Sequence, residues 1–399
     1  MRFSIFKLFL GVLLSLCWPS FSNAHDLYSG TASVFVSYAN VRANSHLDKS
    51  PKINISFDGS DRLIPLVMDT GSVGIIVSAD LFTPEPNARN LGPGQQFYSS
   101  SGIIEEGTWW SATQKIYDAE GRLLAISEVP VLRVTSVRCA NNARSCHPKK
   151  HPRGVAMMGI GFARESKQQV RGTPAYNAFL NIKTILQNGK LEPLPKDWHS
   201  GYVVTSTGVH LGLTSANTAN AGFVKLDPWP LYSTPRLPEW RPAPMTINVN
   251  GVKGDGHILM DTGVGTAYLT PPLLAELGKL VACPGKSGRE CASDGTVISI
   301  YLPNQEHPIA HYSYTIGEER NLMQPKGTHI VKKKESKIFL NTGRHILDGI
   351  NFFYDNTNGY MGYIWNGKSS HAIGYVKPTP SPLIPSHEKA AESTPTHLN

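Results

Sequence analysis

The sequence predicts a mostly β protein of two lobes, and three observations support this prediction. The chain has 399 residues, which is long for one compact core and typical of two units of ordinary domain size. Its 36 glycines and 29 prolines indicate many turns between short strands. One strand and turn pattern occurs twice, once in each half of the chain. We therefore expect a first lobe over residues 25–230 and a second over residues 231–375.

The repeated pattern is an alternating strand, a turn that contains glycine, and a second apolar strand that ends at Asp-Thr-Gly. The first copy runs from residues 53–59 into 66–71, and the second from 247–251 into 258–263. Aspartate and glycine also favour ordinary hairpin loops, so a single copy would carry little information. A loop without function has no reason to recur in the same context, and the repeat therefore favours a shared functional role.

Both ends of the chain are expected to lie outside the two lobes. Residues 1–24 combine a basic start, an apolar stretch and a small residue, Ala24, at the end, which is typical of a secretory signal peptide. Export follows, to the periplasm or the medium, although Cys17 leaves a lipid-modified cysteine as an alternative. No other stretch approaches the length of a transmembrane helix, so no membrane span is expected. Residues 376–399 are rich in proline among polar residues, which predicts a disordered tail.

Four cysteines remain after removal of the signal peptide, and they form two close pairs. In an oxidising compartment this spacing predicts two disulfides. The predicted bonds are Cys139 with Cys146 and Cys283 with Cys291. An alternative is a zinc site made of the first pair with His147 and His151. That spacing matches no familiar zinc pattern, so we expect no metal and no cofactor.

The charge pattern and the absent motifs exclude several functions. The formal net charge is +8, but the basic residues are scattered apart from short groups at 149–153 and 332–334, and no aromatic and basic recognition motif accompanies them. A nucleic-acid partner is therefore not expected. The sequence also has no Gly-x-Ser-x-Gly, His-Glu-x-x-His, phosphate-loop or dinucleotide-binding motif.

The two Asp-Thr-Gly segments and their surroundings resemble the pepsin-like aspartic peptidases, in a divergent form that looks bacterial. The resemblance spans residues 50–365. Residues 157–162 resemble the segment beneath the active-site turn of the first lobe, and residues 346–349 resemble its counterpart in the second lobe. The resemblance implies the bilobal pepsin-like acid-protease fold, with an active-site cleft that takes an extended peptide or protein substrate. We also expect a monomer.

The resemblance assigns Asp69 and Asp261 as the catalytic carboxylates of an aspartic endopeptidase. Two carboxylates about 3 Å apart cannot both ionise, so they share one proton. The charged member can then take a proton from water while the neutral member polarises the substrate carbonyl. In the family, residues of both turns support this pair. The matching residues here are Thr70, Gly71, Ser72, Thr262 and Gly263.

Three positions depart from the family pattern. Val264 stands where a hydroxyl side chain is expected, Asp348 where a glycine is expected, and Ile76 where many members have a tryptophan that holds a tyrosine of the flap hairpin. The candidate flap contains Tyr98 and Gly102, with an ordinary strand position for Tyr98 as the alternative. These departures leave a catalytically inactive binding or inhibitor protein of the same fold as the alternative function.

Overall fold

The computed structural model describes most of the chain between Leu27 and Ser369. The described residues are 27–41, 46–141, 143, 146–164, 171–283, 288–318, 321–332, 337–369 and 384–385. The predicted signal peptide lies outside them, and so does the predicted tail, except for Ile384 and Pro385. None of the helices in these ranges has the length and apolar character needed to cross a membrane.

Short strands make up nearly all of the regular structure, which confirms the mostly β prediction. The strands are β1 (Val34–Ser37), β2 (Lys52–Phe57), β3 (Ile64–Asp69), β4 (Val73–Ser78), β5 (Asn90–Tyr98), β6 (Ile103–Trp110), β7 (Thr113–Tyr117), β8 (Leu123–Glu128), β9 (Val131–Cys139), β10 (Lys149–Lys150), β11 (Ala156–Ile160), β12 (Ile182–Gln187), β13 (Lys190–Pro193), β14 (Gly201–Val204), β15 (Gly208–Leu211), β16 (Gly222–Lys225), β17 (Ala243–Val249), β18 (Val252–Leu259), β19 (Ala267–Thr270), β20 (Val281–Ala282), β21 (Glu290–Cys291), β22 (Val297–Leu302), β23 (Ala310–Thr315), β24 (Thr328–Ile330), β25 (Phe339–Asn341), β26 (Ile350–Asp355), β27 (Tyr360–Trp365) and β28 (Ile384–Pro385). The helices are short 3-10 turns at Pro174–Tyr176, Pro230–Tyr232, Leu274–Leu277 and Arg344–Asp348.

These strands form three sheets. The first has twelve strands, in the order β13-β12-β8-β7-β2-β3-β11-β4-β9-β6-β5 with β10 beside β9. The second has nine, in the order β20-β21-β24-β19-β25-β18-β17-β22-β23. The third combines both ends of the fold, in the order β1-β15-β14-β26-β27-β16-β28. The predicted boundary between residues 230 and 231 falls in the connection from the third sheet to the second, and it stays a prediction.

The same crossing of strands occurs in the first and second sheets. In the first sheet β11 lies between β3 and β4, parallel to β3 and antiparallel to β4. In the second sheet β25 lies between β18 and β19, parallel to β18 and antiparallel to β19. The repeated sequence pattern therefore corresponds to a repeated local topology, in which each Asp-Thr-Gly follows a strand that the crossing strand buries.

The expectation for residues 346–349 is wrong, because the crossing strand of the second sheet is Phe339–Asn341. Residues 344–348 instead form a 3-10 helix. Asp348 is buried there, and its Oδ1 lies 3.3 Å from Nδ1 of His46. A hydrogen-bonded carboxylate thus occupies a helical position at Asp348, where nothing requires a glycine.

Aromatic packing joins the first sheet to the third. Phe162, just after β11, stacks on Tyr354 of β26 with ring centroids 4.2 Å apart and an interplanar angle of 6°. The hydroxyl of Tyr202, in β14, donates a hydrogen bond to the carbonyl oxygen of Ile160. The third sheet therefore packs on β11, the strand that buries the first Asp-Thr-Gly turn, and holds it in place.

Candidate active site

The two Asp-Thr-Gly turns are linked by reciprocal hydrogen bonds. The backbone N–H of Thr70 donates to Oγ1 of Thr262 at 3.1 Å, and the N–H of Thr262 donates to Oγ1 of Thr70 at 3.0 Å. Each threonine hydroxyl also donates to a main-chain carbonyl just before the opposite turn. All of these groups are buried. Because every bond crosses from one half of the chain to the other, neither turn can move without the other.

Two glycines allow the carboxylates to converge. A Cβ atom built on Gly71 would lie 2.5 Å from Oδ2 of Asp261, and one built on Gly263 would lie 2.5 Å from Oδ1 of Asp69. Each carboxylate therefore lies against the glycine of the opposite turn, where no side chain would fit. The same glycines donate their N–H groups to the aspartate of their own turn, at 2.7 Å for Gly71 and 2.9 Å for Gly263.

Each aspartate also has one side-chain donor, and one of these donors was missed in the sequence. Ser72 donates its hydroxyl to Oδ2 of Asp69 at 2.6 Å. Val264 has no such group, and the donor to Oδ2 of Asp261 is the amide Nδ2 of Asn341, also at 2.6 Å. Asn341 ends the crossing strand β25. It could have been found from the sequence only by recognising Phe339-Leu340 as that strand.

The environment keeps a proton on the pair. Asp69 and Asp261 are both more than nine-tenths buried. Burial, and next the negative charge of Asp69, raise the pKa of Asp261 well above that of an exposed aspartate, while the donors Asn341 and Gly263 act in the opposite direction. The pair can therefore hold one proton over a pH range in which a solvated aspartate is fully charged.

Two arginines lie within electrostatic range of the pair. Burial lowers the pKa of Arg344, and the charge of Asp261 opposes that effect. Burial also lowers the pKa of Arg164, and here Asp261 and Asp69 both oppose it. The Nε of Arg344 donates to the carbonyl oxygen of Leu47 at 2.9 Å, so its guanidinium is fixed in place. Both cations favour a net negative charge on the pair.

The hairpin of β5 and β6 lies beside this pair. Its turn contains Gly102, whose φ of 77° suits glycine. Tyr98 is the last residue of β5, and burial, then the charges of Glu105 and Asp69, raise its pKa well above the ordinary value. A Cβ atom built on Gly74, two residues after Ser72, would lie 3.4 Å from the ring of Trp109 in this hairpin. Ile76 packs in one apolar cluster with Trp109 of β6.

A disulfide loop of the first sheet supports the hairpin turn. Cys139 and Cys146 are bonded, as predicted, so neither is available as a thiolate ligand of the alternative zinc site. Within this loop, the N–H of Ala140 donates to the carbonyl oxygen of Gly102 at 2.8 Å. A Cβ atom on Gly102 would lie 2.5 Å from Cβ of Ala143. The loop therefore packs directly on the turn.

The second disulfide loop also contacts this hairpin turn. Cys283 and Cys291 are bonded, again as predicted. Arg289, inside this loop, donates a hydrogen bond through Nη2 to the carbonyl oxygen of Ser100. Its Nη1 donates to the hydroxyl of Tyr268 at 3.0 Å. The turn of the β5–β6 hairpin is therefore held against the second sheet by one arginine.

No protein-family model matches the sequence, and no curated protein matches it. Among solved structures, the aspartic proteinase from Irpex lacteus is similar, with a TM-score of 0.52 and 11% identity over 86% of this chain and 99% of that chain. The fold is that of the pepsin-like aspartic proteinases. At this identity the likeness shows the fold alone, and it confirms the predicted fold class.

Within this pepsin-like fold, the residues that the sequence singled out from both halves of the chain come together. Those at the turns are Asp69, Thr70, Gly71, Ser72, Asp261, Thr262 and Gly263. Tyr98 lies close enough to Asp69 for that charge to affect its pKa, whereas Gly102 lies in the hairpin turn. Their roles in catalysis or closure remain predictions.

We expect Asp261→Asn to stabilise the fold increasingly as the pH rises. In the unfolded chain the aspartate ionises near its ordinary pKa of about 4, whereas in the folded protein it keeps its proton to much higher pH. The wild type therefore loses stability over that interval, and the asparagine variant does not. Urea unfolding from mildly acidic to mildly alkaline pH measures the difference. Asp61→Asn, at a fully exposed carboxylate, serves as control, and a pH-independent difference for Asp261→Asn would contradict the expectation.

We expect Arg289→Ala to free the hairpin turn. A hydrogen bond from a charged donor contributes about 1.5 kcal/mol or more, so amides of the turn should exchange about tenfold faster. Hydrogen–deuterium exchange of a peptide that covers residues 98–103 measures this. Lys332→Ala is the matched control, because it removes a surface ion pair with Glu290 in the same region. Equal exchange rates in wild type and Arg289→Ala would show that the contact does not hold the turn.

Proposed function

We propose that this protein is an aspartic endopeptidase that hydrolyses peptide bonds with a water molecule activated between Asp69 and Asp261. The observation that carries the proposal is the contact of two buried carboxylates across a reciprocal threonine link, with one side-chain donor on each. An ordinary pair of loops has no reason to bury two like charges against each other, because that arrangement costs stability. A carboxylate pair that shares a proton, by contrast, requires the two groups to lie side by side.

The roles of the two aspartates follow from their surroundings. Asp261 has the raised pKa and so carries the shared proton, which leaves Asp69 as the base. Asp69 takes a proton from water as the oxygen attacks the scissile carbonyl, and Asp261 gives its proton to the carbonyl oxygen. The resulting diol collapses when Asp69 returns the proton to the amide nitrogen and Asp261 recovers its own from a hydroxyl. No covalent enzyme intermediate forms.

The substrate is an extended peptide segment held between the carboxylates and the β5–β6 hairpin, which serves as the flap. The contacts of Ser100 and Gly102 with the two disulfide loops support a closed position of this flap. Closure would exclude bulk water and strengthen the hydrogen bonds at the carboxylates. The disulfides also support the predicted export to the periplasm or the medium, because such bonds persist in oxidising compartments.

The catalytic proposal predicts that the mature protein cleaves denatured protein substrates. A statine-type transition-state mimic should block cleavage, and Asp69→Asn or Asp261→Asn should each lower the rate by at least about 100-fold, because each removes one partner of the proton transfer. Product analysis by mass spectrometry, with thermal unfolding to verify the fold of each variant, measures this.

Two results would contradict the proposed function. Cleavage that survives both substitutions would exclude the carboxylate pair as the catalyst. Folded protein that cleaves nothing between acidic and neutral pH would support the alternative of an inactive binding or inhibitor protein. The control variant Asp61→Asn changes a fully exposed carboxylate and should cleave like the wild type.

The donor on Asp261 should set the alkaline limit of activity. Asn341→Leu removes the hydrogen bond that favours the charged form of Asp261. The pKa of Asp261 should then rise further, and the alkaline limb of the kcat/KM profile should move up by about one pH unit. Val264→Thr adds a hydroxyl at the position that Ser72 has in the other turn, where Ser72 donates to Asp69, and should move that limb down. Profiles recorded with one substrate at constant salt test both, and an alkaline limb that stays in place in Asn341→Leu would contradict the role of Asn341.

A further inference from the structure

Three polar side chains share the inner face of the β5–β6 hairpin. Gln96 and Glu105 are directly opposite each other in the ladder, and Tyr98 lies two residues after Gln96. Because side chains alternate along a strand, all three point to the same face. Trp109 lies on this face too, four residues after Glu105, and packs with Ile76 in the first lobe. The polar cluster therefore faces the molecule and not the solvent.

Gln96 and Glu105 are buried, Tyr98 is half-buried with a buried hydroxyl, and the hydrogen bonding of all three is incomplete. Gln96 is 4% exposed and Glu105 is 8% exposed. Nε2 of Gln96, the hydroxyl of Tyr98 and Oε2 of Glu105 make no hydrogen bond of good geometry to the described residues. Buried polar groups in folded proteins nearly always have such partners, and an unmade bond costs free energy. The cluster is thus typical of groups that a ligand completes.

Glu105 in particular lacks a cation. Within the described part of the chain, no lysine or arginine pairs with it, and burial raises its pKa to about 7 while the Tyr98 hydroxyl opposes that rise. The next residue offers a direct contrast. Glu106 points to the opposite face, where its Oε1 lies 2.7 Å from Nη2 of Arg138. One strand therefore carries a glutamate paired with an arginine on its outer face and a glutamate without a basic partner on its inner face.

The cluster adjoins the catalytic carboxylates. Trp109, on the same face, lies against the strand that follows Ser72, since a Cβ atom built on Gly74 would lie 3.4 Å from its ring. The charges of Glu105 and Asp69 both contribute to the raised pKa of Tyr98. A peptide held over Asp69 and Asp261 beneath the hairpin would place a side chain next to the scissile bond against Tyr98. A long cationic side chain there could reach the Glu105 carboxylate and the open positions beside it.

We propose that Glu105 is a specificity-determining residue that binds a lysine or arginine side chain of the substrate next to the scissile bond. This inference rests on the proposed peptidase function. The cation would pair with a buried carboxylate that has no basic partner among the described residues, and the Tyr98 and Gln96 side chains would complete its surroundings. A neutral side chain of the same length would leave the carboxylate without a cation.

The preference for a cation depends on pH. Glu105 is neutral below its pKa of about 7 and charged above it. The kcat/KM of peptides with a basic residue should therefore increase relative to that of neutral peptides as the pH rises through this value. The ratio of kcat/KM for two peptides cancels the titration of the catalytic pair, which affects both substrates alike, and leaves the titration of Glu105.

The test uses peptide pairs that differ in one side chain. Lysine is compared with norleucine, and arginine with citrulline, in turn on each side of the scissile bond. We expect one position to favour the cation by about tenfold or more at about pH 8, and the ratio to fall towards one at about pH 6. Glu105→Gln should abolish both the preference and its pH dependence. Glu106→Gln, the neighbour on the outer face, should retain both.

Several outcomes would overturn the inference. A ratio near one at every position, a preference that Glu105→Gln retains, or a preference that does not change with pH would each do so. The pH dependence of the preference can be measured on the wild type alone, so it tests the inference even if Glu105→Gln does not fold. If nothing is cleaved, calorimetric binding of the lysine and norleucine peptides to Asp261→Asn still decides the matter. Equal affinities there would reject the role of Glu105, whereas tighter binding of lysine would support it and the failure would belong to the proposed hydrolysis alone.

Discussion

The reciprocal hydrogen bonds between Thr70 and Thr262 are the constraint on which the rest of the structure depends. They join two turns that come from different sheets and from distant parts of the chain. The turns can meet only because a crossing strand, β11 or β25, buries the strand that leads into each of them. Once they meet, Gly71 and Gly263 let the opposite carboxylates approach. The repeated topology thus brings together two buried carboxylates, which would repel each other and stay apart in water.

That contact sets the electrostatics of the whole site. Burial and the neighbouring charge raise the pKa of Asp261, while hydrogen-bond donors and buried arginines favour the charged forms. Together these opposing effects leave one proton on the pair. If either the burial or the donors were removed, the two aspartates would no longer differ in protonation. Above the pair, the hairpin turn is held by one disulfide loop from each of the two larger sheets. The two Asp-Thr-Gly turns are therefore joined by hydrogen bonds between backbone N–H groups and threonine hydroxyls, and the hairpin turn is held by separate contacts with the two disulfide loops.

Local patterns predicted the parts of this site that are close in sequence. Each Asp-Thr-Gly turn carries its own aspartate, threonine and glycine, and each disulfide closes a short loop. Features that depend on pairing between distant segments were missed. Two apolar pairs followed by glycine occur near the end of the chain, around residues 339–343 and 346–349, and composition alone does not tell which one pairs with β18. Choosing the second hid Asn341, and nothing local links Arg289 to a carbonyl in the first half of the chain.

The exchange between Val264 and Asn341 shows what the site requires. The family pattern places a hydroxyl after the second Asp-Thr-Gly, and the resemblance alone made its loss an argument for an inactive protein. The structure has a donor 2.6 Å from Oδ2 of Asp261, on a strand 80 residues further along the chain. It matches the 2.6 Å contact of Ser72 with Asp69. A carboxylate responds to the position and polarity of a donor, not to the residue that supplies it. Asn341 therefore supplies the donor that Val264 lacks, and the missing hydroxyl by itself does not argue against catalysis. What matters for Asp261 is that the amide of Asn341 stays in place.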